Sequence, residues 1–218
     1  MGRLTNSGGW LVRSRNERNI NFIKPTIILV IIRDSNDSGV DSREKEEMKK
    51  AMIDYIQNPK NDELYTPEYA IKPLLKYLPQ NITIWECTDN GSSNISKLLM
   101  RGGYKVISTH IENFDFLKDR PDFEFDMIIT NPPYSLKDEF IAKCYEYGKP
   151  FCLLLPITSL EGIERGRMYR KNGIELLVFD RRCNFIYDNA KKSNWFNTSW
   201  FCWKVLNKQL IFEELIKE

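Results

Sequence analysis

Long apolar runs are missing from this chain of 218 residues. The run Ile27–Ile32 has six residues and is followed by Arg33 and Asp34, whereas a helix that crosses a bilayer needs about 20. No small-residue cleavage site follows the run, so a signal peptide is not indicated. We therefore expect a soluble, cytoplasmic protein without a membrane partner.

Paired cysteines are missing as well. The chain has five cysteines, all far apart and without CxxC spacing: Cys87, Cys144, Cys152, Cys183 and Cys202. This spacing argues against zinc sites and disulfide frameworks, and we expect no bound metal. Buried free thiols in a reducing compartment are the expectation.

Net charge is also small, because 32 Lys and Arg residues face 30 Asp and Glu residues. A strongly basic protein is excluded, but a local basic face for phosphates is not. With 42% hydrophobic residues the chain can bury one sizeable core. The organisation predicted is a single α/β domain over residues 45–218 after a poorly specified extension, residues 1–44.

The N-terminal extension contains one possible strand, Thr26–Ile32, and then an SNDSG loop signal. After it, the pattern KEEMKKAMIDYI predicts an amphipathic helix over Lys45–Ile56. Met48 lies in this helix and is an alternative start of the protein, in which case the preceding residues would be an extension.

What the chain does contain is a short apolar run, Met127–Thr130, followed by Asn131, Pro132, Pro133 and Tyr134. The run is of the kind that forms a buried parallel strand, and the prolines end it because they cannot donate to a sheet. Ligands of open α/β sheets bind at the carboxyl ends of strands, which is where Asn131 and Tyr134 would project.

These residue types suit methylation of an exocyclic amine on a flat base. The lone pair of such a nitrogen is delocalised into the ring, so catalysis has to hold its hydrogens and draw the lone pair out of conjugation. The Asn131 side-chain oxygen and the Pro132 carbonyl are suitable acceptors, proline fixes their geometry, and the Tyr134 ring can stack on the base. A simple turn is the alternative, although chance would give this tetrapeptide in roughly one chain of this length in a thousand.

The motif TNPPY after a buried strand, with LYTPEYA upstream, resembles the S-adenosylmethionine-dependent DNA adenine-N6 methyltransferases. The resemblance covers about residues 62–205 and is closest to small members from bacteria and their phages. It implies S-adenosylmethionine as cofactor, DNA as partner, and a bacterial or phage-infected cell as location. It also implies a Rossmann-like methyltransferase fold of the seven-stranded type, with a mostly parallel sheet.

The resemblance further implies that Tyr65 and Thr66 contact the methyl donor. From the residues themselves, Thr66 is a good helix N-cap, with Pro67 at the first helical position and Glu68 in the first turn. A well-capped helix without a ligand is the alternative. We therefore expect the Tyr65-Thr66 pair at the positive end of a helix.

The donor loop of such enzymes is rich in glycine, but the corresponding loop here, residues 86–94, keeps only Gly91. Glu86 or Asp89 could replace the missing acid of that loop, or both could be solvated loop carboxylates. His110, the only histidine, stands where the family places a ribose-binding acid, and a structural role is the alternative. Asp115 resembles the acid that reaches the cofactor's adenine amine, or is an exposed helix cap.

Further strands are predicted over Pro150–Pro156, Ile174–Phe179 and Trp195–Trp203, with helices over Lys137–Tyr147 and Glu161–Lys171. Together with strands at Asn81–Glu86 and Lys105–His110, the pattern alternates β and α. The fold predicted is α/β, with a mostly parallel sheet and an antiparallel C-terminal strand.

Basic residues crowd the helix that follows residue 161 and the strand end after Phe179. The predicted nucleic-acid contacts are Arg165, Arg167, Arg170, Arg181, Arg182 and the neighbouring aromatic Trp195. The functional interpretation is that these residues contact phosphates, and the alternative is that they form a solvated helix face.

The function predicted is that of a site-specific, adenine-N6-specific DNA methyltransferase. One alternative is a catalytically silent nucleic-acid-binding module that kept the fold while its glycine loop eroded. Another is an RNA adenine-N6 methyltransferase, and protein-glutamine methylation ranks third. Fewer than 90 residues follow the NPPY motif, so a recognition domain does not fit there, and a specificity partner or a homo-oligomer remains open.

Overall fold

The computed structural model describes residues 65–187, 190–191 and 196–217. The predicted extension 1–44 with its strand Thr26–Ile32, the helix Lys45–Ile56 and Trp195 lie outside these described residues.

Helices alternate with strands in most of the described chain up to residue 179, as the sequence predicts, and only strands follow. The helices are α1 (Glu68–Leu75), α2 (Asn94–Arg101), α3 (Lys137–Tyr147) and α4 (Ile163–Asn172). Short 3-10 turns precede α3 and α4, at Tyr134–Leu136 and Ile157–Leu160. The strands are β1 (Thr83–Glu86), β2 (Lys105–Ser108), β3 (Met127–Thr130), β4 (Phe151–Pro156), β5 (Glu175–Phe179), β6 (Ile186–Tyr187), β7 (Ala190–Lys191), β8 (Thr198–Trp203) and β9 (Leu210–Glu213).

Seven of these strands form one sheet in the order β2-β1-β3-β4-β8-β5-β9, and β6 and β7 form a separate two-stranded ribbon. In the main sheet β8 is antiparallel to its neighbours β4 and β5, and all other pairings are parallel. The predicted Rossmann-like α/β architecture, mostly parallel with an antiparallel strand from the C-terminal part, is confirmed. β8 lies inside the sheet because it pairs with both β4 and β5, and the unpredicted strand β9 adds to β5 at the edge.

The centre of the sheet is apolar on both faces. All four residues of β3 are buried, and so are the first five of β4. Continuous burial is expected of parallel strands that helices cover on both sides. These two strands therefore fix the position of the segment that follows β3.

Trp85 in β1 is the centre of an aromatic cluster under the loop that follows β2. Its ring is fully buried, and its Nε1 donates to Thr109 Oγ1 at 2.9 Å. The ring makes edge contacts with Phe114 at 5.6 Å and Phe116 at 5.1 Å between centroids. Such contacts add about 0.5–1.5 kcal/mol per pair beyond burial, so they hold this loop at the carboxyl edge of the sheet.

Candidate active site

A cavity of about 320 Å³ lies where β1, β2 and β3 end, and the loops after these strands form its walls. This volume falls within the range of small-molecule sites. Six of the seven predicted donor residues line it, namely Tyr65, Thr66, Glu86, Asp89, His110 and Asp115. Asn131 and Pro133 of the NPPY motif line the same cavity. The structure therefore brings the predicted donor residues and the predicted acceptor motif together.

Asp89 organises the loop between β1 and α2. Its Oδ1 accepts hydrogen bonds from the Gly91 and Ser93 backbone N–H groups at 2.7 and 2.9 Å, and its Oδ2 accepts one from Ser108 Oγ at 2.9 Å. Burial alone would raise the pKa of Asp89, but the hydrogen bonds from Ser96, Ser93, Ser108 and Gly91 outweigh it and lower the pKa. Asp89 is therefore an ionised carboxylate at neutral pH.

Gly91 is the predicted donor residue that does not line the cavity. Its φ is +95°, in the left-handed region that glycine adopts without strain. This conformation lets the loop turn so that two of its N–H groups meet the Asp89 carboxylate. Gly91 thus allows the loop to turn, and the Asp89 carboxylate binds the N–H groups of the loop.

Glu86, the last residue of β1, is 1% exposed. Its Oε1 accepts hydrogen bonds from Thr130 Oγ1 at 2.6 Å and from the Thr88 backbone N–H at 3.0 Å. Its Oε2 accepts one from Ser93 Oγ at 2.8 Å. Burial raises the pKa of Glu86, and the hydrogen bonds from Thr130, Ser93 and Thr88 offset this only in part. One carboxyl group therefore joins the donor loop to β3.

Thr88 extends this network to the NPPY motif. Its Oγ1 lies 2.6 Å from Thr130 Oγ1, 3.0 Å from Glu86 Oε1 and 3.4 Å from the Asn131 carbonyl oxygen. A hydroxyl has one proton, so it can donate to only one of these acceptors at a time. Sequence reasoning missed Thr88, because its role depends on the pairing of β1 with β3.

Thr66 does not have the predicted capping role. Pro67 is the N-cap of α1, with ψ of 148° and no side-chain cap, and the helix begins at Glu68. The helical turn starts one residue later than predicted because the Pro67 carbonyl accepts the first hydrogen bond, from the Ala70 N–H at 3.0 Å. Thr66 Oγ1 is instead buried on the cavity wall, without a hydrogen-bond partner among the described residues. A ligand hydrogen-bonding group would satisfy it.

The loop after β2 supplies the outer wall of the cavity. Asp115 is held there by Lys118, whose Nζ lies 2.7 Å from Asp115 Oδ2 and lowers the pKa of this carboxyl. His110 Nδ1 lies 3.6 Å from Glu112 Oε2, and the Glu112 side chain is exposed. Apolar lining residues come from the same loop and from α3, namely Ile111, Phe114, Phe116, Leu117 and Phe140. The wall is thus apolar with a few polar groups, as small-molecule sites usually are.

The NPPY residues are divided between the cavity and the core. Pro132 is buried, and Tyr134 is 7% exposed and does not line the cavity. The Tyr134 ring makes edge contacts with Phe185 at 6.4 Å and Phe196 at 5.7 Å between centroids. A base could therefore stack on Tyr134 only after neighbouring aromatic rings move.

Comparisons with known proteins add little to this geometry. No family model and no curated protein matches the chain. Among solved structures it is similar to one from Vibrio vulnificus described as the modification subunit of a putative type I restriction enzyme, with 11% identity over 88% of this chain and a TM-score of 0.41. A second, from Agrobacterium tumefaciens and described as a predicted O-methyltransferase, has 13% identity over 61% of this chain and a TM-score of 0.31. The chain spans 56% of the length of the first and 65% of the second.

The titratable side chains of the cavity lining are mostly acidic. Glu86, Asp89 and Asp115 contribute carboxyl groups, and no lysine or arginine is among its described lining residues. Such a wall favours a ligand with positive charge over one with several phosphates, because no cation is there to pair with them.

The described basic residues that were predicted to contact nucleic acid differ in exposure and in position. Arg165 donates to the Ser159 carbonyl at 2.9 Å and pairs with Asp138, and its side chain is 14% exposed. This engagement within the fold argues against the predicted phosphate contact of Arg165. Arg167 is exposed and pairs with Glu164 on the same helix.

The remaining basic residues lie at opposite ends of the strands. Arg170 is in the last turn of α4, beside the amino ends of β4 and β5, where the Asn172 carbonyl accepts from Trp203 Nε1 at 2.8 Å. Arg181 and Arg182 follow β5 and are exposed at the carboxyl edge, on the side of the cavity. Arg181 pairs with Asp180 at 2.9 Å.

All five cysteines are buried and free, as predicted. In the described part of the chain, no group of three or more His, Cys, Asp or Glu side chains is arranged to hold a metal ion. No described helix has the length and apolar character needed to cross a membrane.

Proposed function

We propose that this protein transfers the methyl group of S-adenosylmethionine to the exocyclic N6 amine of adenine in DNA, as a site-specific adenine-N6 methyltransferase. The observation that carries the proposal is the shared cavity. Asn131 and Pro133 line it together with Thr66, Glu86 and Asp89. A transfer reaction requires donor and acceptor side by side, and this arrangement supports it.

The residues present fit the donor. S-adenosylmethionine supplies an electrophilic methyl group on a positively charged sulfonium. The ionised carboxylate of Asp89 suits a cation in the cavity, and the buried Thr66 hydroxyl can donate to the donor's carboxylate. The apolar wall that includes Phe114 and Phe116 suits an adenine ring, and Asp115, which lines the same cavity, would accept a hydrogen bond from its amine.

The acceptor side follows from the chemistry of the amine. Asn131 Oδ1 and the Pro132 carbonyl would accept hydrogen bonds from the two N–H groups of the target amine, which draws the nitrogen lone pair out of conjugation with the ring. This lone pair forms the N–C bond as the S–C bond breaks, S-adenosylhomocysteine leaves, and one amine proton passes to solvent. Pro132 and Pro133 fix the backbone, so these acceptors need no reorganisation when the amine arrives. When the Thr88 hydroxyl donates to the Asn131 carbonyl, 3.4 Å away, it would orient the peptide unit that joins Asn131 to Pro132.

DNA is the proposed substrate because exposed cations lie on the cavity side of the sheet. In this proposal Arg181 and Arg182, which are exposed at the carboxyl ends of the strands, contact phosphates of the bound DNA. The adenine must leave its stack to reach the cavity, which costs a few kcal/mol in a duplex. We therefore expect single-stranded or mismatched DNA to bind at least as well as paired duplex.

The test is transfer of a radiolabelled methyl group from S-adenosylmethionine to DNA, followed by nucleoside digestion and mass spectrometry. The proposal predicts N6-methyldeoxyadenosine as the labelled product. Label in RNA but not in DNA would favour the RNA alternative. Binding of DNA and donor without any transfer would favour the silent module and contradict the proposal.

A further inference from the structure

β9 is the last strand of the sheet among the described strands. Two apolar side chains on it are open to solvent, since Leu210 is 49% and Phe212 is 69% exposed. The two alternate with the less exposed Ile211 and Glu213, so they lie on one face of the strand. An edge strand with exposed apolar side chains is a template for pairing with another chain.

The backbone of β9 is oriented for such pairing. The Leu176 N–H donates to the Gln209 carbonyl at 2.8 Å, and the Asp180 N–H donates to the Glu213 carbonyl at 3.1 Å. Residues in a strand alternate in the side to which their N–H and C=O groups point. Because Gln209 and Glu213 point to β5, the groups of Leu210 and Phe212 point outward, away from the sheet.

The opposite edge of the sheet is different. β2 begins at the exposed Lys105 and ends at the exposed Ser108, and its two central residues are half-buried. Charged and polar ends of this kind are how proteins discourage edge-to-edge contacts. Of the two edge strands, β9 therefore has exposed apolar side chains, whereas β2 has exposed polar ends.

We propose that β9 pairs antiparallel with β9 of a second copy of this chain, about a two-fold axis at Ile211. In this register Leu210 of one copy lies opposite Phe212 of the other, and their outward N–H and C=O groups exchange hydrogen bonds. Lys208 of one copy then lies opposite Glu214 of the other, at both ends of the interface. The same patch meets itself, as a two-fold dimer requires.

Charge complementarity selects this register. The two neighbouring registers with the same backbone alternation place Lys208 opposite Phe212, or Glu214 opposite Leu210, and neither forms the two charge pairs. Lys208 and Glu214 are exposed in the structure. The nearest described cation to Glu214 is Arg181 at 3.8 Å, and Arg181 lies closer to Asp180. A second copy is thus the partner whose charges match this edge.

The experiment is sedimentation of the full chain over a concentration series, because a short strand gives a small interface that dissociates on dilution. The chain should pass from monomer to dimer and no further. Lys208→Glu should raise the dissociation constant roughly tenfold, since opposite charges become like charges at both ends. Lys208→Glu combined with Glu214→Lys should restore the wild-type value.

Lys105→Glu, the same charge reversal on the other edge strand, is the matched control and should leave the dimer unchanged. Melting temperatures of all variants should stay near wild type, because the substituted side chains are exposed. A chain that stays monomeric throughout, or a double reversal that does not restore the dimer, would overturn the proposal. Methyl transfer does not enter this test, so its outcome is independent of the proposed function.

Discussion

Thr130 Oγ1 donates to Glu86 Oε1 across 2.6 Å, and this hydrogen bond joins the ends of β3 and β1 at the wall of the cavity. Both residues are almost fully buried. The pair links the proposed donor loop to the residue that precedes Asn131. A substitution of Glu86 or of Thr130 should therefore alter the position of the other side chain.

The pH dependence of stability should reveal the buried state of Glu86. Because its pKa is raised in the folded protein, the folded state holds this proton more tightly than the unfolded chain. The resulting stability is fully present below the ordinary pKa of about 4.3 and is lost as the pH rises through the raised pKa. The melting temperature of Glu86→Gln, relative to wild type, should accordingly rise as the pH goes from about 4 to 8. A difference that stays constant would show that Glu86 titrates normally.

Asp89 should behave in the opposite way. Its pKa is lowered in the fold, so its stabilising contribution is present above the ordinary pKa of about 3.9 and is lost as the pH falls through the lowered value. Asp89→Asn should lower the melting temperature at pH 7, and the deficit should shrink in acid. Thermal unfolding of both proteins between about pH 3 and pH 7 checks this. An equal deficit at every pH would assign the effect to packing instead of charge.

Several elements were predictable from the sequence because local signals agree there. The bounds of α3 match the prediction of Lys137–Tyr147, since a proline motif precedes it and Gly148 ends it in a left-handed conformation. β3 was predictable as a short β-branched run stopped by prolines. β9 was not, because it has four residues and lies between Lys208 and Glu214, which resemble a solvated tail.

The site was predictable where a motif marks it, and not where tertiary contacts create it. Asn131, Asp89 and Thr66 were identified from motif positions, and they line one cavity. The hydroxyl network of Thr88 and Thr130 depends on two strands that are paired across more than 40 positions of sequence. No local pattern encodes that distance.

Thr88 should position the catalytic motif. Thr88→Val keeps the branched shape but removes the hydroxyl next to the Asn131 carbonyl. We expect kcat for methyl transfer to fall about tenfold, with little change in donor affinity. Thr88→Ser should recover most of the activity.

The matched control is Thr198→Val. It removes another buried threonine hydroxyl, but one without a hydrogen-bond partner among the described residues. Its activity should stay near wild type. Equal losses of kcat in Thr88→Val and Thr198→Val would contradict a specific role of Thr88, because removal of any buried hydroxyl would then have the same effect.

DNA binding should depend on the basic residues at the carboxyl ends of the strands and not on those at the amino ends. Neutralising Arg181 and Arg182, at the carboxyl edge, should weaken binding to all sequences and reduce the salt slope by about one unit for each phosphate that these arginines contact. Neutralising Arg170 and Lys171, in the last turn of α4, should change neither. Fluorescence anisotropy over a salt series measures both variants. If neutralising Arg170 and Lys171 weakened binding instead, DNA would bind at the amino ends of the strands.

The most direct measurement is single-turnover methyl transfer by Asn131→Ala, with donor affinity measured on the same preparation by calorimetry. Asn207→Ala, the same substitution at an exposed position, is the control. Because the Asn131 side chain would contact the target amine and not the sulfonium, we expect Asn131→Ala to lose at least about 100-fold in rate. Its affinity for S-adenosylmethionine should stay within a few-fold of wild type. Near wild-type transfer by Asn131→Ala would contradict the role assigned to the NPPY motif.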